Sequence, residues 1–162
     1  MSMGLMLRCC CLPAILAMSA CKHAPPPPPK PLVTKLEIVA SADINPDSQG
    51  RASPLVTRFF QLRTDAEFAG APYFQLYDHE KEVLGASLIS RDEFPLAPAA
   101  HILQELPVSA DARFFGVSAA YRDSAAVWRA VVPVPPKNAK HASNEQHVTV
   151  RLNKTAVALT IE

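Results

Sequence analysis

Beyond Cys21 the chain has no cysteine: all four, Cys9, Cys10, Cys11 and Cys21, fall within its first 21 residues. The body from Lys22 to Glu162 therefore forms no disulfide and no thiolate metal site. Glycine is scarce, five in 162 residues, and no glycine-rich phosphate loop is present. Neither sign of charge dominates: 16 Lys+Arg stand against 15 Asp+Glu, and removing a leader that holds Arg8 brings the two into balance. A neutral body lacks the electrostatic hold that a phosphate backbone or an anionic lipid surface requires, which argues against nucleic acid as a partner. The five histidines, His23, His79, His101, His141 and His147, show no metal-ligand spacing. No repeat is found.

Proline, by contrast, is concentrated. "MSACKHAPPPPPKP", residues 18–31, sets one cysteine between an apolar run and a row of prolines. The run, Cys9–Ala20, is 12 residues long, enough for the core of an export signal and short of the roughly 20 that a spanning helix needs. Small Ser19 and Ala20 then lead into Cys21. This resembles a bacterial lipoprotein signal, with Met18 where leucine is usual. The resemblance implies cleavage before Cys21, a thioether from its thiol to diacylglycerol and acylation of the freed amine. Lys22, rather than aspartate, after the cysteine implies the outer membrane. Pro25–Pro29, Lys30 and Pro31 are expected to form polyproline II, a strut of roughly 22 Å at about 3.1 Å per residue. The expected organisation is a signal peptide over 1–20, an acylated cysteine and spacer over 21–31, and one folded domain over 32–162.

After Pro31 the pattern turns to strands. Leu36 and Ile38 share a face of "TKLEIVA"; Val56, Phe60 and Leu62 share one in "PLVTRFFQLR", with Arg58 the exception on it. Phe115, Val117, Ala119 and Tyr121 form another row, as do Val148, Val150 and Leu152, and Trp128 aligns with Ala130 and Val132. Short strands between turn-forming segments predict an all-β domain, a two-sheet antiparallel β-sandwich, with "HILQELPV" and "RFFGVSAAYR" forming a hairpin through Ser109–Ala112. One insertion near residues 64–80 breaks the rhythm. There Thr64-x-x-Glu67 reads as a capping box, Gly70 stops a first short helix, and Pro72 opens a second. Phe68, Tyr73, Leu76 and Tyr77 supply it with an apolar face.

Chemistry finds little support. Asp43, Asn45, Asp47 and Gln49 alternate like the start of a calcium loop, but Ser48 and Pro54 occupy the places of its glycine and its bidentate glutamate. A polar turn-rich connection is the better reading. "GVSAA" lacks the last glycine of a nucleophile elbow and lies within a predicted strand, so Ser118 is read as a strand residue. Asp92 and Glu93, adjacent in a strand, face opposite ways. No enzyme activity is expected and no cofactor beyond the lipid on Cys21.

Four separated stretches, "NPDSQGRASPLVTRFFQLR", "FQLYDHEKEVLGASLISRDEF", "AAYRDSAAVWRAVVPVPP" and "VTVRLNKTAVAL", are similar in order and spacing to the TssJ family, outer-membrane lipoproteins of the bacterial type VI secretion system. The likeness spans about Leu36 to Leu159; "LNKTAVAL" stands where the family tends to have an Asp-Gly-Asn turn. It implies a transthyretin-like β-sandwich with an added helical element, tethered to the inner leaflet of the outer membrane and facing the periplasm. It implies a structural role, holding the periplasmic C-terminal domain of TssM, with TssL in the same membrane core complex. The loop joining the first two strands contributes to that contact in the family, which here implies Ile44, Asn45, Pro46, Asp47, Gln49 and Arg51. The alternative is a lipoprotein that binds a carbohydrate or small ligand through its sandwich, which calls for a deep pocket lined by Trp128 or Tyr121; alternation places both in the core.

Overall fold

A computed structural model describes residues 32–135 and 145–161. The readings placed on the export signal, Cys21 and the proline strut lie outside these described residues. Eight strands build two four-stranded sheets. In one, β4 (His101–Val108), β1 (Leu32–Ala40), β7 (Glu145–Leu152) and β8 (Val157–Ile161) lie in that order. In the other the order is β3 (Leu88–Leu96), β2 (Leu55–Leu62), β5 (Phe114–Ala119) and β6 (Arg129–Pro133). Between β2 and β3 come three short helices, α1 (Ala66–Gly70), α2 (Tyr73–Asp78) and α3 (Glu80–Leu84), then a 3-10 turn, Gly85–Ser87.

Alternation of apolar and polar residues builds the core, because successive strand side chains point to opposite faces. β1 alternates buried and half-buried along its whole length. Leu36, Ile38, Phe115, Val117, Ala119, Tyr121, Val148, Val150 and Leu152 all join one cluster between the sheets, as their periodicity predicts. The row on β2 has a different destination. Phe60 and Leu62 face a second cluster with Phe68, Ala71, Leu76 and Leu84 beneath the helices, while Leu55 and Phe59 enter the inter-sheet core. A strand covered on both faces loses clean alternation, and β2 accordingly buries Thr57 and Gln61 alongside Phe59, Phe60 and Leu62. Gly116, the start of the elbow-like motif, makes room for this second cluster: a Cβ there would lie 3.0 Å from Phe68 Cζ and 3.3 Å from Leu62 Cδ1.

Arg58, the charged exception on that row, is largely enclosed by partners of its own. Its guanidinium sits 4.4 Å over the Tyr77 ring, and its Nη1 donates to Tyr77 O at 2.6 Å and to Glu80 Oε2 at 3.3 Å. Nε donates to Glu93 Oε2 at 2.9 Å, and Arg91 completes the group with Nη1 3.1 Å from Glu80 Oε1. The cluster fastens α2 and α3 to β2 and β3.

Three local expectations change. The hairpin between "HILQELPV" and "RFFGVSAAYR" does not form: β4 pairs with β1 in one sheet, and β5 pairs with β2 and β6 in the other. The chain crosses between sheets here because buried Gln61 seizes it from β2, donating to Pro107 O at 2.8 Å and accepting from Ser109 N at 2.9 Å. Arg113 N then donates to Leu62 O at 2.8 Å, starting β5 on the second sheet. Second, β1 and β7 are parallel, so the first sheet is mixed while the remaining ladders between strands are antiparallel. Third, Asp65 occupies the N-cap of α1 without a side-chain bond, and Thr64 Oγ1 donates to Glu67 Oε2 at 2.8 Å instead of capping the helix. That bond holds the Glu67 carboxyl below its ordinary value. Gly70 does end α1 and Pro72 does precede α2, but the insertion continues to Ser87.

Candidate interaction site

Strand direction gives the sandwich two unlike ends. β1 begins at Leu32, next to the proline segment, and its nine residues advance about 30 Å at roughly 3.3 Å each before reaching Ala40. The registers gather the loop 41–54, the turn 97–100, the loop 120–128 and the turn 153–156 at that far end. Hydrogen bonds knit them into one surface. Ser41 N donates to Leu152 O at 2.8 Å, Ala99 N to Ser41 O at 3.2 Å, and Val127 N to Thr155 O at 2.9 Å.

Asn45 is the hub. Its N–H donates to Lys154 O at 3.0 Å and its Nδ2 to Pro54 O at 3.0 Å, while its Oδ1 accepts Arg122 N–H at 2.8 Å. The residue adopts φ 50°, a left-handed conformation that asparagine tolerates better than most side chains. One buried asparagine, through its backbone N–H and its side-chain amide, thus ties three loops together. Of the six residues expected to touch a partner, Ile44 and Asn45 are buried and hold the loop from within. Pro46 and Asp47 are half-buried, and Gln49 and Arg51 are exposed at the loop's outer turn.

Asp47 shapes that turn. Oδ1 accepts the backbone N–H groups of Gln49 at 2.9 Å and Arg51 at 3.0 Å; Oδ2 accepts Arg51 Nε at 2.8 Å. Both oxygens are taken by the loop itself, which agrees with a turn rather than a calcium ligand. The Arg51 N–H, then the Arg51 guanidinium, hold the Asp47 carboxyl below its ordinary value of 3.8. A depressed folded-state value means the aspartate's contribution is present above about pH 4 and is lost as pH falls through the lower folded value. Carboxyl NMR is expected to give Asp47 a midpoint below 3.8, with the Gln49 and Arg51 amides losing hydrogen-exchange protection over the same range. A midpoint at or above the ordinary value would show that this turn is not held as described.

Sequence reasoning missed the neighbours that complete the surface. Tyr121, read only as a core residue, is buried, and its hydroxyl donates toward Asn153 O at 3.0 Å and Ala156 O at 2.8 Å. Burial pushes its phenol well above its usual value. Trp128, assigned to the core by alternation, is half-buried; its ring meets Tyr73 edge-on at 5.1 Å and carries the Arg129 guanidinium at 4.5 Å. Arg129 in turn donates to Phe68 O at 2.9 Å and to Ala71 O, so β6 secures the end of α1. The polar run "YRDS" directly after a strand was the available signal for a loop at this end. Among the described residues no group of three or more His, Cys, Asp or Glu is placed to hold a metal, and none of their helices is long and apolar enough to cross a membrane.

Two four-stranded sheets with hydrogen-bonded loops gathered at one end define a β-sandwich domain. Residues 33–155 match the family model described as T6SS-SciN, "Type VI secretion lipoprotein, VasD, EvfM, TssJ, VC_A0113", and the chain belongs to that family. It is similar to the T6SS lipoprotein TssJ1 from Pseudomonas aeruginosa, with 31% identity over 82% of this chain and 98% of that one, at a TM-score of 0.74. Lip from Serratia marcescens, a membrane-bound component of the type VI secretion system, is 27% identical over 79% of this chain and 96% of its own, with a TM-score of 0.73. A chain from a structure described as "Type VI membrane complex" shares the fold at 22% identity, covering 81% and 99%, with a TM-score of 0.67. No curated protein matches the chain. The fold is therefore the transthyretin-like sandwich of the TssJ lipoproteins, and the protein is a type VI secretion lipoprotein by family.

Proposed function

We propose that the chain is a structural anchor, lipidated on Cys21 in the inner leaflet of the outer membrane, whose periplasmic sandwich holds the C-terminal domain of TssM beside TssL. In this reading residues 1–20 are removed, 21–31 form the acylated spacer and 32–162 the working domain. The observation that carries it is the polarity of β1: the tether enters at one end, and the loop 43–54 is fixed at the other, about 30 Å away. A grip on a partner reaching up from the inner membrane belongs at that far end. Pro46, Asp47, Gln49 and Arg51 form its outward part, while Ile44 and Asn45 keep it in shape so that little ordering is left to occur on binding. The small-ligand reading calls for a deep pocket at Trp128 or Tyr121, and the cleft beside them has a volume of about 130 Å³, below the roughly 300–1,000 Å³ of small-molecule pockets.

Affinity capture of the tagged full-length protein from detergent-solubilised envelopes, read by mass spectrometry, tests the reading. Wild type is expected to recover TssM. Gln49→Arg, which adds bulk and charge at the loop tip without touching the Asp47–Arg51 pair, is expected to weaken that recovery roughly tenfold at an unchanged melting temperature. Capture of wild type without TssM would overturn the assignment.

A further inference from the structure

Exposed large apolar side chains are few among the described residues, and Phe74, at 74% relative exposure, is the aromatic one among them, the others being Leu103 and Val127. It is not alone on its surface. Tyr73 meets it edge-on at 5.1 Å, and Phe74, Tyr73, Trp128 and Tyr121 line one cleft of about 130 Å³, with Arg122 and Ser124 at its rim. The cleft is continuous with the loop surface described above, because the Arg122 N–H at its edge is the one that Asn45 Oδ1 accepts at 2.8 Å. Its walls are preset. Tyr73 stacks on Tyr77 at 5.7 Å, Trp128 is wedged against Tyr73, and the Tyr121 hydroxyl is bonded to two carbonyls.

Size and charge restrict what fits. A cavity of about 150 Å³ with apolar walls takes up one benzene molecule, so this cleft suits a single side chain and not a sugar or a peptide segment. A cationic anchor is disfavoured, since the Trp128 ring already carries the Arg129 guanidinium at 4.5 Å. Asp123, the one acid lining the cleft, has its Oδ1 engaged by Ala125 N–H at 2.9 Å. We propose that this cleft receives one projecting aliphatic or phenyl side chain of the polypeptide that docks on the loop 43–54, forming the apolar centre of an interface whose polar part is that loop. The inference rests on the proposed function, and it locates a second contact region on α2 and the loop 120–128. Tyrosine, tryptophan and arginine walls around a desolvated pocket are the composition from which such centres are built.

The chain contains a single tryptophan, so Trp128 reports directly on the cleft. The test titrates the detergent-solubilised full-length protein with the purified periplasmic domain of TssM, itself free of tryptophan by substitution, following both binding and Trp128 emission. Expected are a blue shift of Trp128 on binding by wild type, and an affinity lower by roughly tenfold or more for Phe74→Glu at an unchanged melting temperature. Ser124→Arg, which places a charge at the rim from a different element, is expected to weaken binding likewise. Wild-type binding with unaltered emission and full affinity in both variants overturns the cleft and leaves the loop reading standing. No binding by wild type removes both.

Discussion

A Cys21→Ser strain is expected to lose the protein from its outer-membrane fraction and to lose type VI secretion altogether, while the sandwich keeps its fold. Serine keeps the size of the side chain but cannot form the thioether, so the diacylglycerol and the later acyl chain are both absent. Each buried methylene contributes about 0.8 kcal/mol, and a single chain holds a protein only marginally, whereas two or more make attachment stable. Among the described residues no helix is long and apolar enough to span a membrane, and the chain's net charge is only +1. The fold is independent of the change because the core cluster begins with Leu32 and draws on β1 to β8. Fractionation, a secretion assay and labelling with radioactive palmitate give the readout. A wild-type protein that takes up no label, or a Cys21→Ser strain that secretes normally, would remove the anchor from the account.

How much of this was legible in the residues differs between strand interiors and contacts made at a distance. β1 and β7 each bury one face, so period-two alternation identifies them and their core residues directly, whereas β5 is buried on both faces from Phe115 to Ala119. β2 defeats that reading because the helices bury its second face, and Phe59 and Phe60 are both fully enclosed. Pairing was legible only in part. A short polar connection such as Ser109–Ala112 reads locally as a hairpin turn; that it crosses between sheets depends on Gln61, 48 positions away from Ser109. The site divides in the same way. The loop 43–54 is visible from its Asp, Asn, Pro and Gly content, and the Asp47–Arg51 turn is local. The roles of Asn45 and Arg122 are not, since they arise from a bond across 77 positions that no local pattern encodes. Trp128 packs against both core clusters, as alternation suggests, but is only half-buried, since it sits just before β6 begins at Arg129, where the sheet ends and α2 supplies its neighbour.

Arg58→Met is expected to cost the protein about 3 kcal/mol, near the lower end of the roughly 3–5 kcal/mol seen when one partner of a buried ion pair is removed. Methionine preserves most of the apolar stem, so the loss isolates the guanidinium. Its side chain is only 13% exposed, and that of Glu80 only 10%, so water does little to replace the missing partner. Glu80 keeps Arg91 at 3.1 Å, which limits the cost, but Tyr77 O loses the donor that reached it at 2.6 Å. For a domain of this size the melting temperature should fall by roughly 10 °C, at a few degrees per kcal/mol. Adding Glu80→Gln is expected to cost less than the two single changes summed, since the Arg58–Glu80 contact can be lost only once. Arg58→Met melting within about 0.5 kcal/mol of wild type, the range of ordinary surface changes, would show that the cluster is not what fastens the helices. The consequence reaches the interaction surface as well. Tyr77 is the ring on which Tyr73 stacks, and Tyr73 is a wall of the aromatic cleft. Loosening α2 at Arg58 should therefore speed hydrogen exchange in α2 and weaken partner binding together, although Arg58 itself lies outside both the cleft and the loop.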